Sequence, residues 1–500
     1  MTSLTARALP VGGRGPVIGI GALVGGGAVV SGLVAGQLMA SGHRAAVLVI
    51  AIVLLPIFLW QKPEFGPTVL LTGALLVEQF GYTVGPRAGA ATAQIPLFHG
   101  IGSLHISPAD LLLLLIGSVY VLKAGTGEVR ALPGTPLAKA LYALVGVVLL
   151  GILVGRAHGG DIRFAFTEAR PYAYLLATFL LASTLVTKRS AVRAILWALV
   201  VTIGFKAGQG LLIFLSIRHL PVRPEAVLAH EEAVFFALLL MLVVALWLFD
   251  LPGRLRTTAT AVAPFVLAAD LANSRRAAWV VLAAGVIVVL LVTLVAVPER
   301  RKVVGALVGA LAVGLAIYLP AFWNNTGGFA QPARAVHSLI SPSPRDESSD
   351  LYRIQEEENL KLNIREAGPL GKGFGVPIDY RLPIADISSI DPLIAYIPHN
   401  GVLYILMRTG FLGSLAFWSM LGLGIVGACR LARVADRELA VIGAVGAGLL
   451  LGYAFEGYVD QGFFFYRVAF VVGTFLGLVE AARRLADERP ADASTEGGGG

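Results

Sequence analysis

The sequence predicts an all-α polytopic membrane protein with about 12–14 transmembrane helices. Of its 500 residues, 56 % are hydrophobic and 14 % are charged, whereas a soluble domain carries about 25 % charged residues. Mean hydropathy is +0.79. Apolar runs of about 20 residues, the length that crosses a hydrocarbon core, recur along the chain. A soluble globular protein is therefore excluded.

The predicted spans follow one another along the chain, and the first is an uncleaved helix rather than a signal peptide. They cover roughly 17–40, 45–60, 67–84, 107–124, 137–155, 171–187, 191–216, 226–249, 257–273, 277–297, 303–322, 400–428, 438–457 and 463–482. The count of spans is even, so both termini are expected on the same side of the membrane.

Lysine and arginine cluster in alternate links between these spans, as at Arg300-Arg301-Lys302. This bias predicts that both termini lie in the cytoplasm. The chain then divides into membrane helices (1–322), a large extracytoplasmic loop with short helices (323–398), further membrane helices (399–485) and a disordered tail (486–500). The net charge of +8 belongs to the links, which argues against a nucleic-acid partner. The single cysteine, Cys429, excludes an intramolecular disulfide and a cysteine-based metal site.

The large loop has a helical pattern of its own. Apolar residues recur at near-helical spacing from Asp350 to Ala367, with Ser349 or Asp350 as the candidate cap. A glycine-rich turn follows, from Gly368 to Gly375. We expect an amphipathic helix and then a tight turn before the twelfth span.

Ionisable residues near the predicted outer face are the candidates for chemistry, because such groups are costly in a membrane. The set is Arg170, Lys206, His230, Glu231, Glu232, Asp270, Arg275, Arg276, Arg353, His399 and Asp460. Arginine forks bind phosphate oxygens in pairs, so a lipid diphosphate is the ligand that this set favours.

Each of these residues also has a structural interpretation. The arginines can anchor helix ends at the lipid headgroups. Lys206 can pair with Glu231 or Glu232, and Asp270 can balance Arg275 or Arg276. The deeper Arg408 and Arg467 are expected to serve packing or to snorkel.

Four stretches resemble the O-antigen ligase and polymerase superfamily. His399-Asn400, followed by Gly410 and Gly413, is similar to its His-Asn…Gly-x-x-Gly motif. The stretch 274–279 (Ser-Arg-Arg-Ala-Ala-Trp) resembles its arginine motif at an outer helix start. Arg353 followed by the turn 368–375 resembles its loop pattern, and 106–110 resembles its early Asp-Leu-Leu helix. The resemblance covers roughly residues 105–480.

The resemblance implies a glycosyltransferase that uses a polyprenyl-diphosphate-linked glycan and needs no metal, nucleotide or other cofactor. The donor diphosphate would be bound by Arg275 or Arg276, by Arg353 and by Arg170. His399 would act as general base, or orient the acceptor or the diphosphate. Supporting roles would fall to Asn400, Glu231, Lys206 and Asp270. The expected partners are the donor, a glycan or lipid acceptor and the bilayer. The site would face the outside of the cytoplasmic membrane.

Other functions stay open at this point. A secondary transporter or a flippase for lipid-linked glycans would need charge near the bilayer midplane and a broken-helix repeat, whereas most of the charge here lies toward the outer face. A peptidoglycan glycosyltransferase would centre on an acidic residue of an outer loop, and a non-catalytic scaffold would need no site. Ligase and polymerase activity are not separated by the motif.

Overall fold

The computed structural model describes residues 54–80, 92, 95–100, 106–220, 226–325, 327–388 and 392–488. The chain forms two compact units, Met1–Pro63 and Glu64–Gly500. In the first unit, residues 54–61 are helical. The predicted span 17–40 and most of 45–60 lie outside the described residues.

The second unit is built from α-helices, and no strand occurs within the described ranges, which confirms the all-α prediction. The helices are α1 Gly66–Leu76, α2 Pro108–Gly125, α3 Pro136–Ala157, α4 Ile162–Leu185, α5 Arg189–Ile217, α6 Glu232–Leu248, α7 Arg254–Asn273, α8 Arg276–Ala296, α9 Arg301–Phe322, α10 Gln331–His337, α11 Pro344–Glu366, α12 Gly401–Leu431, α13 Arg437–Val459 and α14 Tyr466–Asp487.

Eight of the described helices are long and apolar enough to cross a membrane, namely α2, α3, α5, α7, α8, α9, α12 and α13. The chain is therefore a multi-pass membrane protein. Two more polar helices, α4 and α14, pack extensively against each other. Almost every residue of α14 from Tyr466 to Ala482 is buried. Since Arg467 and Glu480 are buried against protein, this helix tolerates a polarity that a lipid-facing helix would not.

Two predicted boundaries are wrong for local reasons. The span predicted at 171–187 begins earlier, at Ile162, because the Asp161 side chain caps the helix by accepting from the backbone of Arg163 at 2.7 Å. Arg170 therefore lies inside α4 and does not open it. The helix predicted to reach residue 84 ends at Leu76, where the chain turns extended at Val77.

The loop helix also differs from its prediction. It begins at Pro344, where Ser343 and Asp346 form a reciprocal capping box, so neither Ser349 nor Asp350 caps it. The predicted apolar stripe is only partly buried: Leu351 is 52 % exposed, whereas Leu360 is fully buried. Polar side chains fill the rest of the buried face, which includes Glu356, Asn359 and Asn363.

The glycine-rich turn after α11 docks onto a kink in α12. Gly410 has φ 61° and ψ −159°, which breaks the helix. Backbone groups on both sides of the kink bond to the turn. Phe411 donates its backbone N–H to the Pro369 carbonyl (3.3 Å), and the Met407 carbonyl accepts from the backbone N–H of Lys372 (2.7 Å). A Cβ at Gly410 would lie 2.0 Å from the Pro369 carbonyl oxygen. Glycine is therefore required where the turn and the kink meet.

Candidate active site

His399 lies at the end of the loop, where α11 meets the start of α12. Its Nδ1 is 3.2 Å from Glu356 Oε1 and 3.3 Å from Oε2, and its backbone N–H donates to Oε2 at 2.9 Å. The Glu356 side chain is 1 % exposed and the His399 side chain 22 %. One buried carboxylate therefore holds both the backbone and the ring of the histidine.

The residues that follow His399 and Glu356 in the chain form a second pair. Asn400 donates its side-chain N–H to Glu357 Oε1 at 2.9 Å. Its amide oxygen accepts from the backbone of Val402 and Leu403, at 3.1 and 3.0 Å, and so caps α12. The consecutive carboxylates of α11 thus hold the His-Asn pair against the N-terminus of α12.

Arg353 lies one turn before Glu356 on α11, and both line a cavity of about 170 Å³ together with His399. Glu357, Asn400 and the end of α13 complete its wall. Arg353 donates to the Val459 carbonyl at 2.8 Å, a bond that aims the guanidinium at the cavity rim. The cavity therefore brings together a histidine, an arginine and a buried carboxylate.

The two adjacent arginines at the start of α8 have different partners. Arg276 lies 3.1 Å from Asp350 and 3.5 Å from Asp346, both on α11. Among the residues that the structure describes, Arg275 forms neither a hydrogen bond nor an ion pair, and its Nε is buried without a partner. Arg276 therefore links α11 to α8 by ion pairs, whereas the Arg275 guanidinium forms no such pair among the described residues.

Two acidic residues near the end of α13 complete this polar region. Asp460 lies 3.0 Å from His230 Nδ1. Burial would raise the pKa of Asp460, but the charge and hydrogen bond of His230, with the charge of Arg353, hold it well below the usual range. Glu456 is fully buried on α13, and the charges of Arg275 and Arg353 both act on its carboxyl. Arg275 and Arg353 therefore both lie close enough to Glu456 for their charges to act on it.

The pKa of His399 follows from the same surroundings. Burial lowers it, while the hydrogen bond and charge of Glu356, helped by the charge of Asp460, raise it, and Arg353 opposes that rise. The net result is a pKa above the usual histidine value. A more basic imidazole is a stronger proton acceptor, although less of it is neutral at a given pH.

Lys206 and Glu231, expected as supporting residues, belong to a buried ion network inside the bundle. Lys206 contacts Glu78 and lies 3.7 Å from Glu232. Arg467 donates to Glu232 at 2.6 Å and to Glu231 at 3.3 Å. The interpretation that Lys206 pairs with Glu232 agrees with this geometry. Arg467 is fully buried, so it does not snorkel.

Arg170 and Asp270 have surroundings of their own. Arg170 lies 3.9 Å from Asp110 and over the ring of Tyr466 at 5.9 Å. Asp270 is fully buried, and within the described part of the chain neither of its oxygens has a hydrogen-bond partner. It forms no ion pair with Arg275 or with Arg276 there, so the interpretation of Asp270 as their counterion is not supported.

A second buried pair fixes the loop in place. Arg408 of α12 donates to the carbonyls of Gly373, Val376 and Tyr396 at 3.1, 2.6 and 2.7 Å, and it pairs with Glu168 of α4 at 2.6 Å. The side chains of Arg408 and Glu168 are 0 and 1 % exposed. Arg408 is thus a structural residue that holds the end of the loop, as the packing interpretation expected, although it does not snorkel.

Sequence reasoning missed Glu356, Glu357, Glu456 and Glu78. The run 355–358 (Gln-Glu-Glu-Glu) is typical of a solvated helix face. One signal was available, because Arg353 and Glu356 are three residues apart and therefore share a helix face.

In the described part of the chain, no group of three or more His, Cys, Asp or Glu residues is arranged to hold a metal ion.

Comparison with known proteins gives one family. Residues 260–418 match the family model described as O-antigen ligase. The match includes Arg275, Arg276, Arg353, His399 and Asn400, and it ends before Glu456 and Asp460. No curated protein matches the chain.

Proposed function

We propose, from the premise that this chain is a member of the O-antigen ligase superfamily, that it moves a polyprenyl-diphosphate-linked glycan to an acceptor hydroxyl. The reaction would take place on the outer face of the cytoplasmic membrane, and the enzyme would be a metal-independent glycosyltransferase. The observation that carries this proposal is the shared cavity of His399 and Arg353.

In this proposal, the acceptor oxygen attacks the anomeric carbon of the donor while the bond from that carbon to the diphosphate oxygen breaks. His399 takes the hydroxyl proton as general base. The departing diphosphate gains negative charge, which Arg353 and Arg275 stabilise. Arg275 suits this task because it forms no ion pair with a carboxylate among the described residues and its Nε is buried without a hydrogen-bond partner, while its charge acts on the nearby Glu456.

The arginines that the sequence assigned together to donor binding have different proposed roles. Arg276 forms ion pairs with Asp346 and Asp350, which favours a structural role. Arg170 faces Asp110 and Tyr466, and its part in donor binding stays a prediction, as do the supporting roles of Glu231, Lys206, Asp270 and Asn400.

A strain that lacks the protein tests the proposal and separates its two forms. A polymerase is expected to leave only short glycans in its absence, whereas a ligase is expected to leave finished chains on the lipid carrier. Complementation with His399→Ala should leave the defect unchanged although the variant inserts normally. An unaltered glycan profile in the deletion strain, or full rescue by the variant, would contradict the proposal.

A second candidate is transport or flipping of a lipid-linked glycan. The buried network of Lys206, Glu232 and Arg467 favours it, because ionisable groups inside a helical bundle often mark a transport path. Proteoliposomes that carry the donor but no acceptor separate the two functions. Movement of the donor between leaflets supports transport, and its absence together with glycan transfer once acceptor is added supports the enzyme.

A further inference from the structure

Glu356 makes three contacts with His399 although neither sequence pattern nor family resemblance singled it out. Its two oxygens lie 3.2 and 3.3 Å from the imidazole Nδ1, and one accepts the His399 backbone N–H at 2.9 Å. The carboxylate is almost fully buried. A buried carboxylate with this set of bonds restrains both the position and the rotation of the ring.

The contact also sets which ring nitrogen carries hydrogen. An ionised carboxylate only accepts hydrogen bonds, so Nδ1 must be the donor. In the neutral imidazole, Nε2 then holds the lone pair. Nε2 is the nitrogen that Glu356 does not contact, and His399 lines the cavity.

We propose that Glu356 is the positioning residue of His399: it holds the Nδ1–H tautomer so that Nε2 can take the proton of the acceptor hydroxyl. This inference rests on the proposed function for its catalytic part. The tautomer and the basicity of His399 do not depend on that function.

Two carboxylates near the ring act in the same direction as this role, and one arginine acts against it. Glu356 of α11 and Asp460, just after α13, favour the imidazolium, while Arg353 of α11 opposes it. The edge-on ring of Tyr352 lies 5.7 Å away. When Nε2 takes a proton, the positive ring lies against the Glu356 charge, which stabilises the protonated state that the transfer creates.

Glu357 provides a matched control. It is the next residue on α11, but it accepts from Asn400 and makes no hydrogen bond to the His399 ring. Glu356→Gln and Glu357→Gln remove the same charge from adjacent positions, so a difference between them reports on contact with the ring.

The first measurement uses the full-length protein in nanodiscs, labelled with ¹⁵N-histidine, with His399→Gln to assign the signal. In the wild type we expect the neutral ring to carry hydrogen on Nδ1; hydrogen on Nε2 would overturn the proposal, whatever the variants do. In Glu356→Gln we expect the proton affinity of His399 to fall about tenfold, one pKa unit. Glu357→Gln should leave it close to wild type. Equal values in wild type and Glu356→Gln would also overturn the proposal.

The second measurement is the rate of glycan transfer against pH. Glu356→Gln should lower kcat at least tenfold with little change in the donor KM, and should move the acidic limb of the profile to lower pH. Glu356→Asp, which keeps the charge, should recover part of kcat. An unshifted limb with full activity would refute the catalytic part of the proposal.

The two measurements separate this inference from the proposed function. If neither the wild type nor any variant transfers glycan, but the His399 ring titrates as expected, the proposed function fails and the Glu356–His399 contact stands. If the wild type transfers glycan and Glu356→Gln does so equally well, the positioning role fails and the proposed function stands.

Discussion

Replacing Arg275 and Arg276 one at a time tests whether one contributes to donor binding and the other to stability. Arg276→Ala removes ion pairs at 3.1 Å to Asp350 and at 3.5 Å to Asp346. The side chains of these three residues are 26–43 % exposed, and pairs at such sites contribute about 1 kcal/mol or less each. Arg276→Ala should therefore lower the free energy of unfolding by up to about 2 kcal/mol.

Arg275→Ala should do the reverse. Within the described residues the side chain has no hydrogen bond or ion pair to lose, although its charge acts on the buried Glu456 carboxyl, so the expected loss of stability is about 1 kcal/mol or less. A charge-assisted hydrogen bond to the donor diphosphate contributes about 1.5–3 kcal/mol. At 1.4 kcal/mol per factor of ten, that loss weakens apparent donor affinity by roughly 10- to 100-fold.

Both quantities are measured on the same preparations in nanodiscs, as chemical unfolding and as donor KM in glycan transfer. Arg275→Lys is the matched control, since it keeps the charge but loses the paired donors, and it should fall between the wild type and Arg275→Ala. Equal donor KM in the wild type and Arg275→Ala would refute the assignment. So would a loss of donor affinity in Arg276→Ala as large as in Arg275→Ala.

The remaining predictions concern the loop anchor and pH. Gly373→Ala should destabilise the protein by more than about 2 kcal/mol, because φ is +80° and the new Cβ would lie 2.1 Å from a backbone nitrogen of α3; Gly368→Ala, with φ +65° and open space, should cost only about 1 kcal/mol. Equal unfolding midpoints for the two variants would contradict this. Arg408→Leu should lower stability by about 3–5 kcal/mol by leaving Glu168 buried without its partner, and an unchanged midpoint would argue against the anchor. The transfer rate should rise with pH through the raised pKa of His399, with its midpoint above 6.5; a midpoint below 6.5 would count against His399 as the base.

The membrane helices were largely predictable because hydropathy reports directly on lipid exposure. The starts of two helices were not. Asp161 and Ser343 cap α4 and α11 at the head of segments rich in charged residues, so the hydropathy pattern placed the start of α4 too late and the apolar periodicity placed the start of α11 too late. Short polar caps lie outside the segment that such a pattern measures.

The site was predictable only where a motif marked it. His399 and Arg353 were predicted as ionisable residues near the outer face, and the resemblance gave them roles, whereas Glu356 lies among neighbouring carboxylates whose burial only the fold decides. The same holds for Glu78, which meets Lys206 across 128 positions of the chain. The proposed division between Arg275 and Arg276 also needed the ion pairs that α11 supplies to Arg276 from Asp346 and Asp350, far along the chain.

The most direct test of the account is transfer by the reconstituted full-length protein. Lipid-linked glycan extracted from a strain that lacks the protein is supplied with acceptor, and released polyprenyl diphosphate and glycosylated acceptor are both quantified. We expect one lipid diphosphate to be released for each glycan transferred by the wild type, and at least a hundredfold less of both products from His399→Ala. Release at the wild-type rate from a folded His399→Ala variant, or no transfer by a folded wild type, would contradict this expectation.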